Sequence, residues 1–297
     1  MNTQTPPARS ANFIGAVLMV AAMAAFAIED AMIKVAAARL PLGQVMLIFG
    51  LGGTTIFTAI ALFNKERLYT ADVISPAMRL RVFFEIVGRL FYGLALALTP
   101  LSSATVIMQA TPLVVVAGAA LIFGETVGWR RWCAILTGLI GVLIIVQPGA
   151  DSFSALSILA VIGMLGFAGR DLASRAAPPS ISTSILGLYG FLALVFIGGV
   201  YSLWDAQAYI WPDLASSLSL LGAILAGTTA YACLMRAMRM GEVSAVTPFR
   251  YTRLLFGIGL GVVFFGETLS LPMVVGSGLI VLSGLFIMWR GQRATQQ

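Results

Sequence analysis

Two arginines three residues apart, Arg250 and Arg253, stand inside the long apolar run Gly241–Thr268, with Pro248 and Tyr251 beside them. A guanidinium in hydrocarbon costs from about 2.5 kcal/mol on insertion scales to much more in simulations. Residues three apart share a helix face. That face must therefore look into protein or a water-filled cavity. At a rise of about 1.5 Å per residue, Arg253 falls near the middle of its span. Two fixed guanidinium groups in a low-dielectric cavity suit a carboxylate or phosphate, which each can hold bidentately. Pro248 removes a helix hydrogen bond one turn before Arg253 and loosens the backbone there. The spacing thus supports recognition of a polar ligand on a path through the membrane. The competing readings are an ion pair with an acid elsewhere or, for Arg250, snorkelling to the surface.

Other charges sit in comparable places. Glu85 and Arg89 are four apart and can neutralise each other. Tyr92 lies on the same face, and Tyr231 occupies the corresponding place in the second half of the chain. These are candidate cavity residues, with an internal salt bridge as the plainer reading. Glu29, Asp30 and Lys34 close one apolar segment; Arg170, Asp171 and Arg175 close another. The Asp30–Lys34 and Asp171–Arg175 spacings predict local ion pairs. They could form gates that break and re-form, or simply be polar helix ends. The chain has no histidine, so any proton coupling would run through carboxylates such as Glu29, Asp30, Glu85 or Asp171. Gln109, with Thr111 and Pro112, lies mid-segment and could bind a ligand amide, hydroxyl or ammonium, or join two helices. Glu125 and Glu267 read as turn residues. Gly138, Gly141, Gly257, Gly259, Gly276 and Gly278 read as sites of close helix packing. Trp204, Trp211 and Trp289 read as interfacial anchors.

The elements that position these groups follow from composition. Of 297 residues, 59% are hydrophobic and 10% are charged, against about 25% charged in a soluble domain. The chain is a polytopic membrane protein. Cys133 and Cys233 lie far apart in apolar segments and support neither a disulfide framework nor a metal site. The net charge of +6 fits loops facing anionic lipid rather than nucleic acid. No cofactor is implied.

Hydropathy and turn signals predict ten spans, at 12–36, 42–63, 79–98, 102–123, 130–147, 155–176, 182–203, 214–236, 243–265 and 271–289. Residues 1–11 and 291–297 read as short cytoplasmic tails. If the N-terminus is cytoplasmic, nearly all loop lysines and arginines fall on that side, Lys34 and Arg39 being the exceptions. Both termini are therefore expected inside the cell.

Phe123-Gly124-Glu125-Thr126 recurs as Phe265-Gly266-Glu267-Thr268, 142 residues on, and Phe26-Ala27-Ile28-Glu29-Asp30 is echoed by Phe167-Ala168-Gly169-Arg170-Asp171, 141 residues on. Two matches at nearly one spacing predict an internal duplication, residues 12–147 and 155–290. Each copy holds five spans, an odd number, so the second enters from the opposite side. Inverted five-helix repeats are the architecture of alternating access, with the ligand between the halves.

Ten spans, two halves and a Phe-Gly-Glu motif after the fourth and ninth spans resemble the EamA branch of the drug/metabolite transporter superfamily, over about residues 12–290. Pro248-Phe249-Arg250-Tyr251-Thr252-Arg253 resembles the ninth-helix signature of a bacterial subgroup. The resemblance implies an inner-membrane permease for amino acids, riboflavin, S-adenosylmethionine, metallophores or drugs. It also implies a cavity walled by spans one, three, four, six, eight and nine. The expectation is a secondary transporter of a small anionic or zwitterionic, amino-acid-like or aromatic metabolite, acting as a monomer or homodimer. An integral-membrane enzyme would need a nucleophile and base that the sequence does not offer. A channel would need a filter or charged ring.

Overall fold

The computed structural model describes residues 8–98, 107–147, 155–265 and 270–293. Among them are ten helices of thirteen residues or more. These are α1 (Ala8–Ala37), α2 (Leu42–Phe63), α3 (Pro76–Leu98), α4 (Thr111–Phe123), α5 (Trp129–Val146), α6 (Ser157–Ala176), α7 (Thr183–Asp205), α8 (Leu214–Arg239), α9 (Thr252–Phe265) and α10 (Leu271–Arg293).

Six of these, α1, α2, α5, α6, α7 and α8, are long and apolar enough to cross a membrane unaided. Of the other four, α3, α4 and α9 depart from the ten-span expectation for identifiable reasons. Helix α3 carries Arg79, Arg81, Glu85 and Arg89 within its 23 residues. Helix α4 follows a turn at Gln109–Ala110, and the first residues expected in that span, 102–106, lie outside the described residues. The ninth span, expected as one helix over 243–265, is broken into a short turn Val243–Val246, a 3-10 segment Thr247–Tyr251, and α9. Pro248 explains the break, because it has no N–H to donate and its ring crowds the preceding turn. Irregular backbone at membrane depth survives only when enclosed by protein, and Val243–Phe249 and Tyr251 are all buried.

Helix ends follow local chemistry. Ser182 and Asp213 accept from the backbone N–H of Ile185 and Ser216 as N-caps of α7 and α8. Hydrogen bonds from Ser216, assisted by the Arg39 guanidinium, hold the Asp213 carboxyl below the usual carboxylate range. The first Phe-Gly-Glu-Thr ends α4, with Gly124 left-handed at φ 66°. Gly266–Thr268 of the second lie outside the described residues.

The halves are interleaved rather than set side by side. The closest-packed pairs are α1 with α8, α2 with α7, α3 with α6 and α5 with α10. One core runs between them, built from Met19, Met23, Phe49, Phe57, Leu186, Phe191, Tyr231 and Met235 among others. Backbones touch where glycines meet. A Cβ on Gly166 of α6 would lie 2.5 Å from Gly88 Cα of α3, and one on Gly276 of α10 2.4 Å from the Gly141 carbonyl of α5. Gly138 likewise meets Tyr251. The expectation of close packing does not hold for Gly257, Gly259 and Gly278, whose Cβ positions meet open space. Gly166→Val should push α3 from α6 and lower stability by about 1–3 kcal/mol. The fall in melting temperature of the detergent-solubilised protein measures it, and Gly257→Ala is the matched control with little change.

Candidate functional site

Helices α1, α3, α6 and α8 and the broken ninth span bring their charges together. Glu85, fully buried on α3, is the hub. Its carboxylate accepts from Arg89 Nε at 2.8 Å, Arg170 Nη1 at 3.2 Å and the Tyr231 hydroxyl at 2.7 Å. Arg81 stands one turn below, 4.0 Å from Glu85. It donates to Ser174 Oγ at 3.1 Å, to the Leu186 carbonyl at 2.6 Å and to the Tyr231 hydroxyl. Arg170 continues the chain to Asp171 at 2.9 Å, and Arg250 closes on the other Asp171 oxygen. From α9, Arg253 grips Asp30 of α1 through Nε and Nη2.

The expected i,i+4 pair Glu85–Arg89 is present. The expected Asp30–Lys34 and Asp171–Arg175 pairs are replaced. Asp30 pairs with Arg253, and Asp171 pairs with Arg170 and Arg250. Lys34 and Arg175 sit in the last turns of α1 and α6. Asp30 and Asp171 hold equivalent places in the two echoed segments, and each is claimed by one arginine of the ninth span.

Aromatic rings frame the charges. The Arg253 guanidinium lies 5.1 Å from the Phe26 ring centre, and Arg170 lies 5.0 Å from that of Phe167. Tyr92 packs edge-on against Phe167, within the field of Arg253 and Asp30. Cations over ring faces are held by the ring quadrupole. Gln109 is half-buried in the turn leading into α4.

Tyr251 departs from the expected face. The 3-10 geometry of Thr247–Tyr251 turns it between α5 and α10, against Val142 and Ile280 and away from the arginines. Its buried hydroxyl has no hydrogen-bond partner among the described residues. Tyr251→Phe should therefore leave ligand binding unchanged and keep or raise stability by up to about 1 kcal/mol, read as an equal or higher melting temperature.

Sequence reasoning missed Arg81, whose side chain is fully buried, by treating it as a loop charge. The four-residue spacing Arg81–Glu85–Arg89 was the available signal. Glu125 is more than a turn residue. Its two carboxylate oxygens accept from the backbone N–H of Val243 at 2.9 Å and Ser244 at 3.1 Å, capping the start of the ninth span from the other half of the chain. Arg131 reinforces that junction, bonding Ser244 Oγ at 2.8 Å and pairing with Glu242.

Five arginines (Arg81, Arg89, Arg170, Arg250, Arg253) thus meet three paired acids (Asp30, Glu85, Asp171), with Glu29 close by, so positive charge is in excess. Two donors, Arg81 Nη1 and Arg250 Nε, are buried without partners among the described residues. Such a cluster can hold an anion.

The EamA-like transporter family matches residues 13–147 and again 154–289. A riboflavin transporter of Vibrio cholerae is 29% identical over 73% of each chain. An S-adenosylmethionine uptake transporter of Rickettsia bellii is 24% identical over 90% of each. The pseudopaline exporter CntI of Pseudomonas aeruginosa is 26% identical over 91% of this chain and 94% of its own. A solved crystal structure at 19% identity superposes with a TM-score of 0.78, over 96% of this chain and 98% of the other, and shares the fold. With two copies of the family pattern spanning nearly its whole length, this multi-pass membrane protein belongs to the EamA-like transporter family.

Proposed function

We propose that the protein is a secondary transporter that carries a small anionic or zwitterionic metabolite across the bacterial inner membrane by alternating access. The observation that carries this reading is the arginine-rich cluster with one open pair. The Arg253 side chain is 42% exposed and that of Asp30 54%, while Glu85 and Asp171 are closed off. Charges at that depth cannot face hydrocarbon, so the open pair borders a wet cavity that a substrate can enter. Arg253, Arg250 and Arg89 supply donors, and Phe26, Tyr92 and Phe167 supply ring faces for an aromatic or adenine-like moiety.

The helix pairings support inverted repeats. Moving each helix five places along the chain turns α1·α8 into α6·α3 and maps α2·α7 and α5·α10 onto themselves. A two-fold axis relates such pairs, and an odd number of spans per half reverses the second half in the membrane. The same reading puts both termini in the cytoplasm, and Glu125 with its cap on that side. The relatives named for riboflavin, S-adenosylmethionine and pseudopaline support a small-metabolite substrate.

The test is a thermal-shift panel on the detergent-solubilised protein with riboflavin, S-adenosylmethionine, aromatic amino acids and dicarboxylates, followed by flux of any stabilising compound into proteoliposomes. Saturable flux of a compound bearing a carboxylate supports the reading. Stabilisation only by compounds lacking an anionic group would overturn the assigned substrate class.

A further inference from the structure

The duplication is broken at one charged position, and what is left there has a use. Glu29 of α1 and Arg170 of α6 are equivalent, at 170 − 29 = 141, and Glu85 of α3 and Gly227 of α8 are equivalent, at 227 − 85 = 142. The packed pairs α3·α6 and α1·α8 are equivalent too. In the first pair Arg170 finds Glu85 at 3.2 Å. In the second, Glu29 faces a residue with no side chain. Its carboxyl carbon stands 3.1 Å from the place a Cβ on Gly227 would take.

Glu29 is only 6% exposed, and its Oε2 has no hydrogen-bond partner among the described residues. The charges whose fields reach it are Asp30 on its own helix, Arg89 on α3 and Arg253 on α9. Both arginines are already engaged, Arg89 by Glu85 and Arg253 by Asp30. From α8, Thr228 spends its hydroxyl on the Ile224 and Leu225 carbonyls. Phe49 of α2, which also crowds Gly227, offers no polar group.

We propose that Glu29 is a proton-binding site of the transport cycle: its carboxylate takes one proton from water on one side of the membrane and returns it on the other. A buried carboxylate oxygen without a hydrogen-bond donor among the described residues is relieved most simply by binding a proton. The step converts carboxylate to carboxylic acid and back and changes no other bond. It is linked to the cavity through Arg253, which faces two carboxylates when Glu29 is ionised and one when it is protonated. The proposal rests on the transporter reading above.

The test needs no substrate. Infrared difference spectra of the protein in liposomes, taken between mildly alkaline and mildly acidic buffer, should show the carbonyl band of a protonated carboxyl growing as pH falls. Glu29→Gln should lose that band, Glu29→Asp should keep it at a shifted frequency, and Glu66→Gln, at a half-buried carboxylate outside the cluster that accepts from the Ser182 hydroxyl, should leave it unchanged. A band that survives Glu29→Gln, or no band in the unmodified protein, overturns the proposal. If Glu29→Gln fails to fold, an unshifted band in Glu29→Asp overturns it equally. The substrate panel fails or succeeds independently of this band, so the two readings can be separated.

Discussion

Glu85→Gln is expected to be the most damaging single change in the protein. The substitution keeps shape and removes one negative charge from the buried hub on which Arg89, Arg170 and Tyr231 converge, with Arg81 one turn away. Arg170 retains Asp171, but Arg89 is left to face a neutral amide. Breaking a buried ion pair by removing one partner costs about 3–5 kcal/mol, because the survivor stays buried and unpaired. The loss should appear as a fall in melting temperature on the order of 10 °C and a smaller monodisperse fraction after solubilisation. Adding Arg89→Gln to Glu85→Gln should recover part of the loss, since the charge left unpaired is then removed. A melting temperature within a degree or two of the parent would mean that Glu85 is not the keystone described.

Arg253→Ala should show the opposite division of effects. Arg253 and Asp30 are about half exposed, and exposed ion pairs are worth about 0–1 kcal/mol to stability. The fold should survive with little change in melting temperature. Ligand recognition should not. Losing a forked, charge-assisted contact to an anionic group costs about 3 kcal/mol, roughly a hundredfold in Kd. The stabilisation by any compound that emerges from the thermal-shift panel should therefore disappear, together with its flux. Arg253→Lys should recover part of the affinity, because it keeps the charge but not the bidentate geometry. Undiminished ligand stabilisation in Arg253→Ala would remove this residue from the site.

Much of the scaffold was legible in the sequence, because apolar length and turn residues are local properties. The boundaries expected for spans two, five, seven and eight fall within a few residues of α2, α5, α7 and α8. The arginines of the ninth span also stood out, since a guanidinium in an apolar run carries its own cost. Their partners did not, with one exception. Spacing alone offers pairs within one helix, and of the three it offered only Glu85–Arg89 formed. Asp30 and Asp171 are claimed by arginines 223 and 79 residues away, a choice made by how the helices cross. The placement of Tyr251 was lost for another reason. Pro248 signalled a weakened helix, but not that the next residues would wind as 3-10, which changes the direction each side chain takes.

The interleaving of the two halves constrains how the chain can be made. Helix α3 carries four charged residues in its first fourteen, and each arginine at the centre of a lone helix opposes insertion by about 2.5–3.5 kcal/mol. The groups that satisfy Arg81 are Ser174, Leu186 and Tyr231, which follow it by 93, 105 and 150 residues. Until α6, α7 and α8 emerge, α3 has no stable place in the bilayer core, and a ribosome-bound or truncated first half exposes unpaired guanidinium groups to quality-control proteases. Stable insertion of α3 is therefore expected to depend on the second half of the chain.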